Sequence, residues 1–174
     1  MRLETRPTPG EHLDVLVRHL ETGRASAVEP KYPTAALDVE TGGEHFTLPH
    51  QGAQDIRGFD AVADIARIER FIAAGYADDG FAIVLSNDRS YWTDPAHGRE
   101  TGAAAFRLYE GNVLTGERAW GPRSGPGTRR GREGSIDIAG HYTLHWHDYS
   151  DLHVPGGRLR TLTLPSESGV KTAL

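Results

Sequence analysis

Apolar positions near the start of the chain fall in short runs that predict two β-strands. Residues 12–19 (HLDVLVRH) and 25–29 (ASAVE) are rich in apolar and β-branched side chains, and residues 21–24 (ETGR) between them have turn chemistry. Two strands joined by so short a turn predict an antiparallel hairpin. A further β-like stretch follows at 44–48 (EHFTL).

The pattern changes between residues 55 and 74, where apolar residues recur every three or four positions and predict one long helix. Gly75 supplies a C-cap. The apolar positions are Ile56, Phe59, Val62, Ile65, Ile68 and Ile72, and the charged residues expected on the other sides are Asp60, Asp64, Arg67, Glu69 and Arg70. The next run, 81–85 (FAIVL), is continuously apolar, which is typical of a strand buried on both faces.

The second half of the chain predicts strands and loops. Residues 103–109 suit either a strand or a short helix, and residues 116–135 form a loop rich in Gly, Pro and Arg. Residues 141–147 and 158–164 predict two late strands. The order β-β-α-β followed by more strands predicts a mixed α/β or α+β fold with a central mixed sheet.

The length, composition and charge of the chain exclude several kinds of site and indicate its domain organisation. A chain of 174 residues without internal repeats is expected to form a single domain, 1–174, with a core at 10–90 and a β-rich extension at 100–174. The absence of cysteine excludes disulfides, thiolate nucleophiles and Cys-ligated metals. No apolar run approaches the ~20 residues of a membrane span, and the charged N-terminus is unlike a signal peptide, so a cytoplasmic location is expected. The formal net charge is −5, and only Lys31 and Lys171 are lysines among the 19 basic residues.

The predicted hairpin gathers charged side chains on one of its faces. If the turn is centred between Glu21 and Thr22, Asp14 lies opposite Glu29. Because side chains alternate along a strand, Lys31 lies on the same face as these two carboxylates. That face also carries Leu16 and Ala27, while the opposite face, which we expect to pack in the core, carries Leu13, Val15, Val17 and Val28.

Facing carboxylates repel each other, and a divalent cation removes that cost. Mg²⁺, or Mn²⁺ in its place, binds through one or two carboxylates together with waters and substrate phosphates. An ammonium beside such a site can hold or deprotonate an attacking water or offset phosphate charge. Asp14, Glu29 and Lys31 therefore predict metal-assisted hydrolysis of a phosphodiester.

Asp14, followed after fourteen residues by Glu29-Pro30-Lys31, resembles the motif of the PD-(D/E)XK nuclease superfamily, the restriction-endonuclease-like enzymes. The resemblance covers residues 10–90 and implies an α-β-β-β-α-β core. Two glutamines just before the predicted helix are similar to a Gln that some members carry after the motif. The catalytic residues implied are Asp14, Glu29, Lys31, Gln51 and Gln54, and the implied metal ligands are Asp14, Glu29 and the backbone carbonyl of Pro30.

The sequence departs from the family pattern at three points. Leu13 stands where the family has Pro before the motif Asp, and Pro30 at the central motif position removes a ladder donor from its strand. The segment before residue 12 leaves little room for the family's first helix. Glu4 or Glu11 is the candidate for the further acid which that helix often supplies.

A basic, aromatic-containing loop is the candidate nucleic-acid surface. Between Glu117 and Arg132 five arginines stand against one glutamate, so the local charge is positive although the chain is acidic. Arginines contact phosphates, and a tryptophan can stack on a base. The residues are Arg118, Trp120, Arg123, Arg129, Arg130 and Arg132, and the expected partner is nucleic acid, DNA in the first place.

Other interpretations stay open at this point. The hairpin charges suit a solvated surface with an incidental Glu–Lys pair, and the fold suits an inactive nuclease relative that only binds nucleic acid. His145 and His147, expected on one strand face with His141 and Asp148 nearby, suit a zinc or transition-metal site. Asn87 and Asp88 follow a predicted strand, where a turn explains them. A homodimer is a further candidate state.

Overall fold

The computed structural model describes residues 1–7, 10–95 and 101–167. Its helices are α1 (Gln54–Ala73) and the four-residue α2 (Pro126–Arg129). The strands are β1 (Arg2–Thr5), β2 (Leu13–Arg18), β3 (Ala25–Lys31), β4 (Leu37–Thr41), β5 (Glu44–Leu48), β6 (Asp79–Ser86), β7 (Val113–Arg118), β8 (Ile136–Thr143), β9 (Trp146–Asp151) and β10 (Arg158–Glu167). Lys171 lies outside the described residues.

Six strands form one mixed sheet in the order β1-β2-β3-β6-β10-β9. β3 and β6 run parallel, and the other neighbouring pairs are antiparallel. The parallel pair requires a crossover, which α1 supplies, because parallel strands cannot be joined by a tight turn. β4–β5 and β7–β8 form two separate two-stranded sheets. The predicted mixed α+β fold, with a mixed central sheet and one long helix, is confirmed.

The hairpin β2–β3 has the predicted register, but the face expected to pack in the core is only partly buried: Leu13 is completely buried, and Val15 and Val28 are half-buried. Val15 pairs with Val28 and Leu16 with Ala27, the register that sets Asp14 opposite Glu29. Leu16, Ala27 and Glu29 are buried, whereas Val17 is 41% exposed. The expectation that this face packs in the core is therefore right for Leu13 and wrong for Val17. The reason is that α1 packs against β3 on the side that carries Ala27 and Glu29.

Helix α1 buries the apolar stripe that its periodicity predicts, including Val62, Ile65 and Ile68. The same buried stripe includes Asp64, which was expected on another side of the helix. Asp64 lies four residues before Ile68, and side chains at that spacing share a face. No helix in the described part of the chain is long and apolar enough to span a membrane.

Strand β6 is buried more completely on its helix side than on its other side. Ala82 and Val84 are buried, while Phe81 and Ile83 are half-buried, so the expectation of full burial on both faces is wrong. Gly80 lies where α1 approaches the sheet closely. A Cβ added there would lie 2.5 Å from Cγ2 of Ile68, so a larger residue would push the helix off the sheet.

The predicted strand over 141–147 is two strands with a break. β8 ends at Thr143 and β9 begins at Trp146. Between them Leu144 is completely buried, its N–H donates to Asn112 and its carbonyl accepts from Gly111. Leu144 thus anchors a neighbouring loop instead of extending a strand.

The structure resolves one ambiguous segment and adds elements that the sequence did not predict. The ambiguous stretch 103–109 contains a 3₁₀ turn at Ala104–Phe106. The expected loop over 116–135 holds the end of β7 and the short helix α2. The strands β1 and β4 were not predicted.

Glu69 ties helix α1 to strand β8. Its carboxylate accepts hydrogen bonds from the backbone N–H of Ala139 (2.9 Å) and Gly140 (2.7 Å) and from the hydroxyl of Tyr142 (2.8 Å). Hydrogen bonds to a charged group are stronger than neutral ones. This one carboxylate therefore fixes the β7–β8 hairpin against the helix.

Replacing Glu69 by Ala is expected to lower the free energy of unfolding by about 2–3 kcal/mol, because three donors lose a charged acceptor. Tyr142→Phe removes one of the three bonds and is the matched control, with an expected loss of about 1 kcal/mol. Urea unfolding followed by circular dichroism measures both. An equal loss in the two variants would contradict the anchoring role.

Candidate functional site

Five charged side chains meet where α1 covers the ends of β2 and β3. Asp14 comes from β2, Glu29 and Lys31 from β3, and Asp64 and Arg67 from α1. We call these five residues the charged cluster. The hairpin register and the alternation along β3 bring the first three together, and the crossover helix adds the other two.

Two cations hold the carboxylates of the charged cluster. Nε of Arg67 lies 3.0 Å from Oε1 of Glu29, and another nitrogen of its guanidinium bonds Asp64. Nζ of Lys31 lies 2.8 Å from Oδ2 of Asp64. Arg67 therefore bridges an acid of the sheet and an acid of its own helix, and Lys31 reaches the same helix from β3.

Burial dominates the titration of Glu29, whose side chain is completely buried. Burial raises its pKa from 4.5 to about 8. Arg67 opposes that rise. The charges of Asp64 and Asp14 add to it, and so does the hydrogen bond that the protonated Glu29 carboxyl donates to Asp14. Burial also raises the pKa of Asp64, against the lowering effect of Lys31 and Arg67. Glu29 consequently keeps its proton at neutral pH unless a further cation approaches.

The pair Asp14 and Glu29 fits a magnesium ion in its donor chemistry. Oε2 of Glu29 is buried, and no Arg, Lys or backbone N–H of the described residues bonds it. Mg²⁺ commonly uses one or two protein carboxylates and keeps several waters. Within the described ranges no group of three or more His, Asp and Glu side chains could hold a metal ion, so the fit rests on this pair and not on a larger cage.

Lys31 separates the buried carboxylates from solvent. Its side chain is 34% exposed and lines two adjoining cavities. The inner cavity, about 10 Å³, also has Glu29 and Asp64 in its wall, and the outer one, about 40 Å³, has Gln51. A small ligand at Lys31 would therefore lie close to the carboxylates.

The remaining predicted site residues make their contacts outside the charged cluster. The amide of Gln54 donates to Asp88 at 3.3 Å, and Asp88 also caps a 3₁₀ turn by accepting from Ser90 N–H. Asn87 bonds the backbone of Ala35 and is structural. Pro30 is exposed, while Glu29 on the other face is buried.

Asp64 and Arg67 were missed as site residues because charged helix residues were assigned to solvent-facing sides. A signal was available in the sequence. Asp64 lies one turn before Ile68 and Arg67 lies one turn before Phe71, so both fall within the apolar stripe. A charge inside an apolar stripe indicates a buried partner of opposite sign.

Several members of the predicted basic loop are used in packing. The ring of Trp120 stacks on Phe59 at 5.5 Å, and its Nε1 donates to the carbonyl of Arg132. Arg132 itself pairs with Asp60 at 3.1 Å. The Arg118 guanidinium donates to the carbonyl of Val113 in its own strand. Arg123 and Arg130 are exposed, and Arg129 is half-buried.

The histidines near the break between β8 and β9 do not share a strand. His145 lies just before β9 and His147 within it, and both are exposed on either side of the buried Trp146. Nδ1 of His145 lies 3.1 Å from Glu110, whose other oxygen accepts the N–H of Trp146. Asp148 bonds Arg158 and pairs with Arg160. His141 is exposed on β8.

Comparison with known proteins adds no relative: no family model, no curated protein and no solved structure matches this chain significantly.

Proposed function

We propose that this protein is a metal-dependent nuclease that hydrolyses phosphodiester bonds of nucleic acid, DNA in the first place. The observation that carries the proposal is the convergence of Asp14, Glu29 and Lys31 on one face of the β2–β3 hairpin. Two acids and a lysine in that arrangement suit metal-assisted hydrolysis.

The strand order supports a restriction-endonuclease-like core. β1, β2 and β3 are followed by the separate β4–β5 hairpin, by α1 and then by β6, which joins the sheet next to β3 and parallel to it. Without the inserted hairpin, that succession agrees with the β-β-β-α-β part of the superfamily core, with the Asp on the middle strand and Glu-Pro-Lys on the third. The further acid that the superfamily takes from a preceding helix has a candidate here in Glu11, which bonds Arg70.

Each group of the charged cluster has a role in this proposal. Asp14 and Glu29 would hold the cation, which when bound would orient a water and offset phosphate charge. Lys31, at the mouth of the cluster, orients the attacking water or stabilises charge that develops on the phosphate. Arg67 and Asp64 position Glu29 and Lys31.

Lys31→Ala is expected to reduce cleavage about a hundredfold. Among the described residues, Lys31 is the one lysine beside the carboxylates, and the variant lacks its ammonium group. The assay follows plasmid and single-stranded DNA in Mg²⁺ or Mn²⁺, with EDTA as blank. Arg24→Ala is the matched control, since Arg24 pairs with Asp79 at the opposite end of β3 and should retain full activity. Equal cleavage by wild type and Lys31→Ala, or no cleavage in any condition, would reject the catalytic proposal.

A second candidate is a nuclease-fold module that binds nucleic acid without cutting it. The observation in its favour is that Arg67 and Lys31 already pair with Glu29 and Asp64. A protein of this kind would retard DNA in a gel with strong salt dependence and without a requirement for metal. The same cleavage assay, run beside gel retardation in EDTA, separates the two candidates.

A further inference from the structure

The outer cavity beside Lys31 is lined by hydrogen-bond donors that do not belong to the charged cluster. It lies between the first turns of α1, the segment after β3 and the 3₁₀ turn at Arg89–Tyr91. Its polar lining consists of Lys31, Tyr32, Gln51, Arg57 and Tyr91, and its apolar lining of Pro33, Ala61, Val84 and Leu108. The described lining residues thus include two cations and no acid.

Tyr91 is the clearest sign that this cavity receives a ligand. The residue is only 5% exposed, and its hydroxyl meets no hydrogen-bond partner among the described residues. A buried hydroxyl without a partner costs about 1–3 kcal/mol, so an unpaired one calls for an acceptor. Burial raises the pKa of Tyr91 to about 12, which keeps the hydroxyl protonated as a donor.

Arg57 and Gln51 supply further donors at the mouth of the cavity. Within the described part of the chain, neither side chain has a hydrogen bond or ion pair of the kind that holds Arg67 or Lys31 in place. Arg57 lies near enough to Tyr91 to act on its charge. Two acids lie near enough to act on Tyr91. Asp88 is engaged by the N–H of Ser90 and the amide of Gln54, and Asp55 lies 3.9 Å from the guanidinium of Arg107.

We infer that this cavity binds a phosphate group, with Arg57, Gln51 and the Tyr91 hydroxyl as donors and Lys31 at its inner wall. A volume of about 40 Å³ holds about three water molecules, which is the size class of one phosphate and too small for a base. Arginine and hydroxyl donors match phosphate oxygens. The inference deepens the proposed function, because Lys31 would then connect a bound phosphate to the carboxylates.

Two sources of phosphate share this chemistry: a terminal phosphate and an internal diester of a nucleic-acid strand. The first measurement uses inorganic phosphate in EDTA, with chloride at matched ionic strength, and follows the midpoint of thermal unfolding. A ligand that binds only the folded state raises this midpoint with its concentration. The second measurement compares 5′-phosphorylated and unphosphorylated oligonucleotides as competitors of a labelled strand.

Phosphate should raise the midpoint of the wild type and of the control Arg18→Gln, which alters an exposed arginine at the far end of β2. The affinity should fall about tenfold or more in Arg57→Gln and severalfold in Tyr91→Phe. If the phosphorylated oligonucleotide competes better, the ligand is a terminal phosphate. If both oligonucleotides compete equally and Arg57→Gln weakens the binding of both, the ligand is an internal diester.

An equal midpoint shift in wild type and Arg57→Gln, or no shift in wild type, would overturn the inference. Neither measurement requires metal or strand cleavage. If the protein binds phosphate here but cleaves nothing, the phosphate site stands and the nuclease proposal is rejected. If it cleaves DNA but phosphate does not shift the unfolding midpoint, the nuclease proposal stands and the phosphate site is rejected.

Discussion

The free energy of unfolding of the wild type is expected to fall strongly as the pH rises from about 5 to about 8, and Glu29→Gln is expected to abolish this fall. The folded protein holds the Glu29 proton up to about pH 8, whereas the unfolded chain releases it near the ordinary pKa of 4.5. Across that interval the folded state binds more protons than the unfolded state, so the free energy of unfolding falls as pH rises. At about 1.4 kcal/mol per pH unit the loss amounts to about 5 kcal/mol.

The difference between the two proteins isolates this effect from other titrations. At pH 5 glutamine replaces a neutral acid of similar shape, and the two stabilities should agree within about 1 kcal/mol. At pH 9 the variant should be the more stable one by several kcal/mol. Urea unfolding at intervals of one pH unit gives the comparison, with Glu117→Gln on the exposed face of β7 as the control.

A constant difference between wild type and Glu29→Gln across this pH range would show that Glu29 is ionised when the protein folds. Metal binding offers an independent check on the same group. Because a carboxylate must lose its proton to bind a cation, Mn²⁺ should stabilise the wild type more at pH 8.5 than at pH 6.5. The variant should show a smaller gain at both pH values.

The hairpin part of the site follows from local rules that a sequence reveals. The turn at 21–24 is short, so its centre fixes the register, and the alternation along each strand then places Asp14, Glu29 and Lys31 on one face. The helix is equally local, because its apolar period does not depend on distant residues. These rules do not say which face of the hairpin the helix covers.

The other half of the site depends on tertiary packing. Asp64 and Arg67 reach Glu29 only because the α1 crossover lies over the face of β3 that carries Glu29. Trp120 likewise looks like a surface aromatic in the sequence, yet its ring packs on Phe59 and Phe106. Contacts between residues far apart along the chain decide both cases, and neither composition nor periodicity records them.

Arg67→Met is expected to lower the free energy of unfolding by about 3 kcal/mol at pH 8. Arg67 is the one described cation that touches both Glu29 and Asp64, so its removal leaves Glu29 without its cationic partner and Asp64 with Lys31 alone. Breaking a buried ion pair from one side costs about 3–5 kcal/mol. The lower end of that range applies because the guanidinium is 25% exposed and solvent screens part of the interaction.

The cost should shrink at pH 5, where Glu29 is protonated and no longer needs a cation. Arg70→Met is the matched control one turn away. Arg70 is 57% exposed and pairs with the partly exposed Glu11, so its loss should cost less than about 1 kcal/mol. Equal losses in the two variants would refute a buried ionic role for Arg67. Arg67→Lys adds a second comparison: it keeps the charge but reaches fewer acceptors, so its stability should fall between those of wild type and Arg67→Met. A charge-only contribution would instead leave Arg67→Lys at the wild-type value.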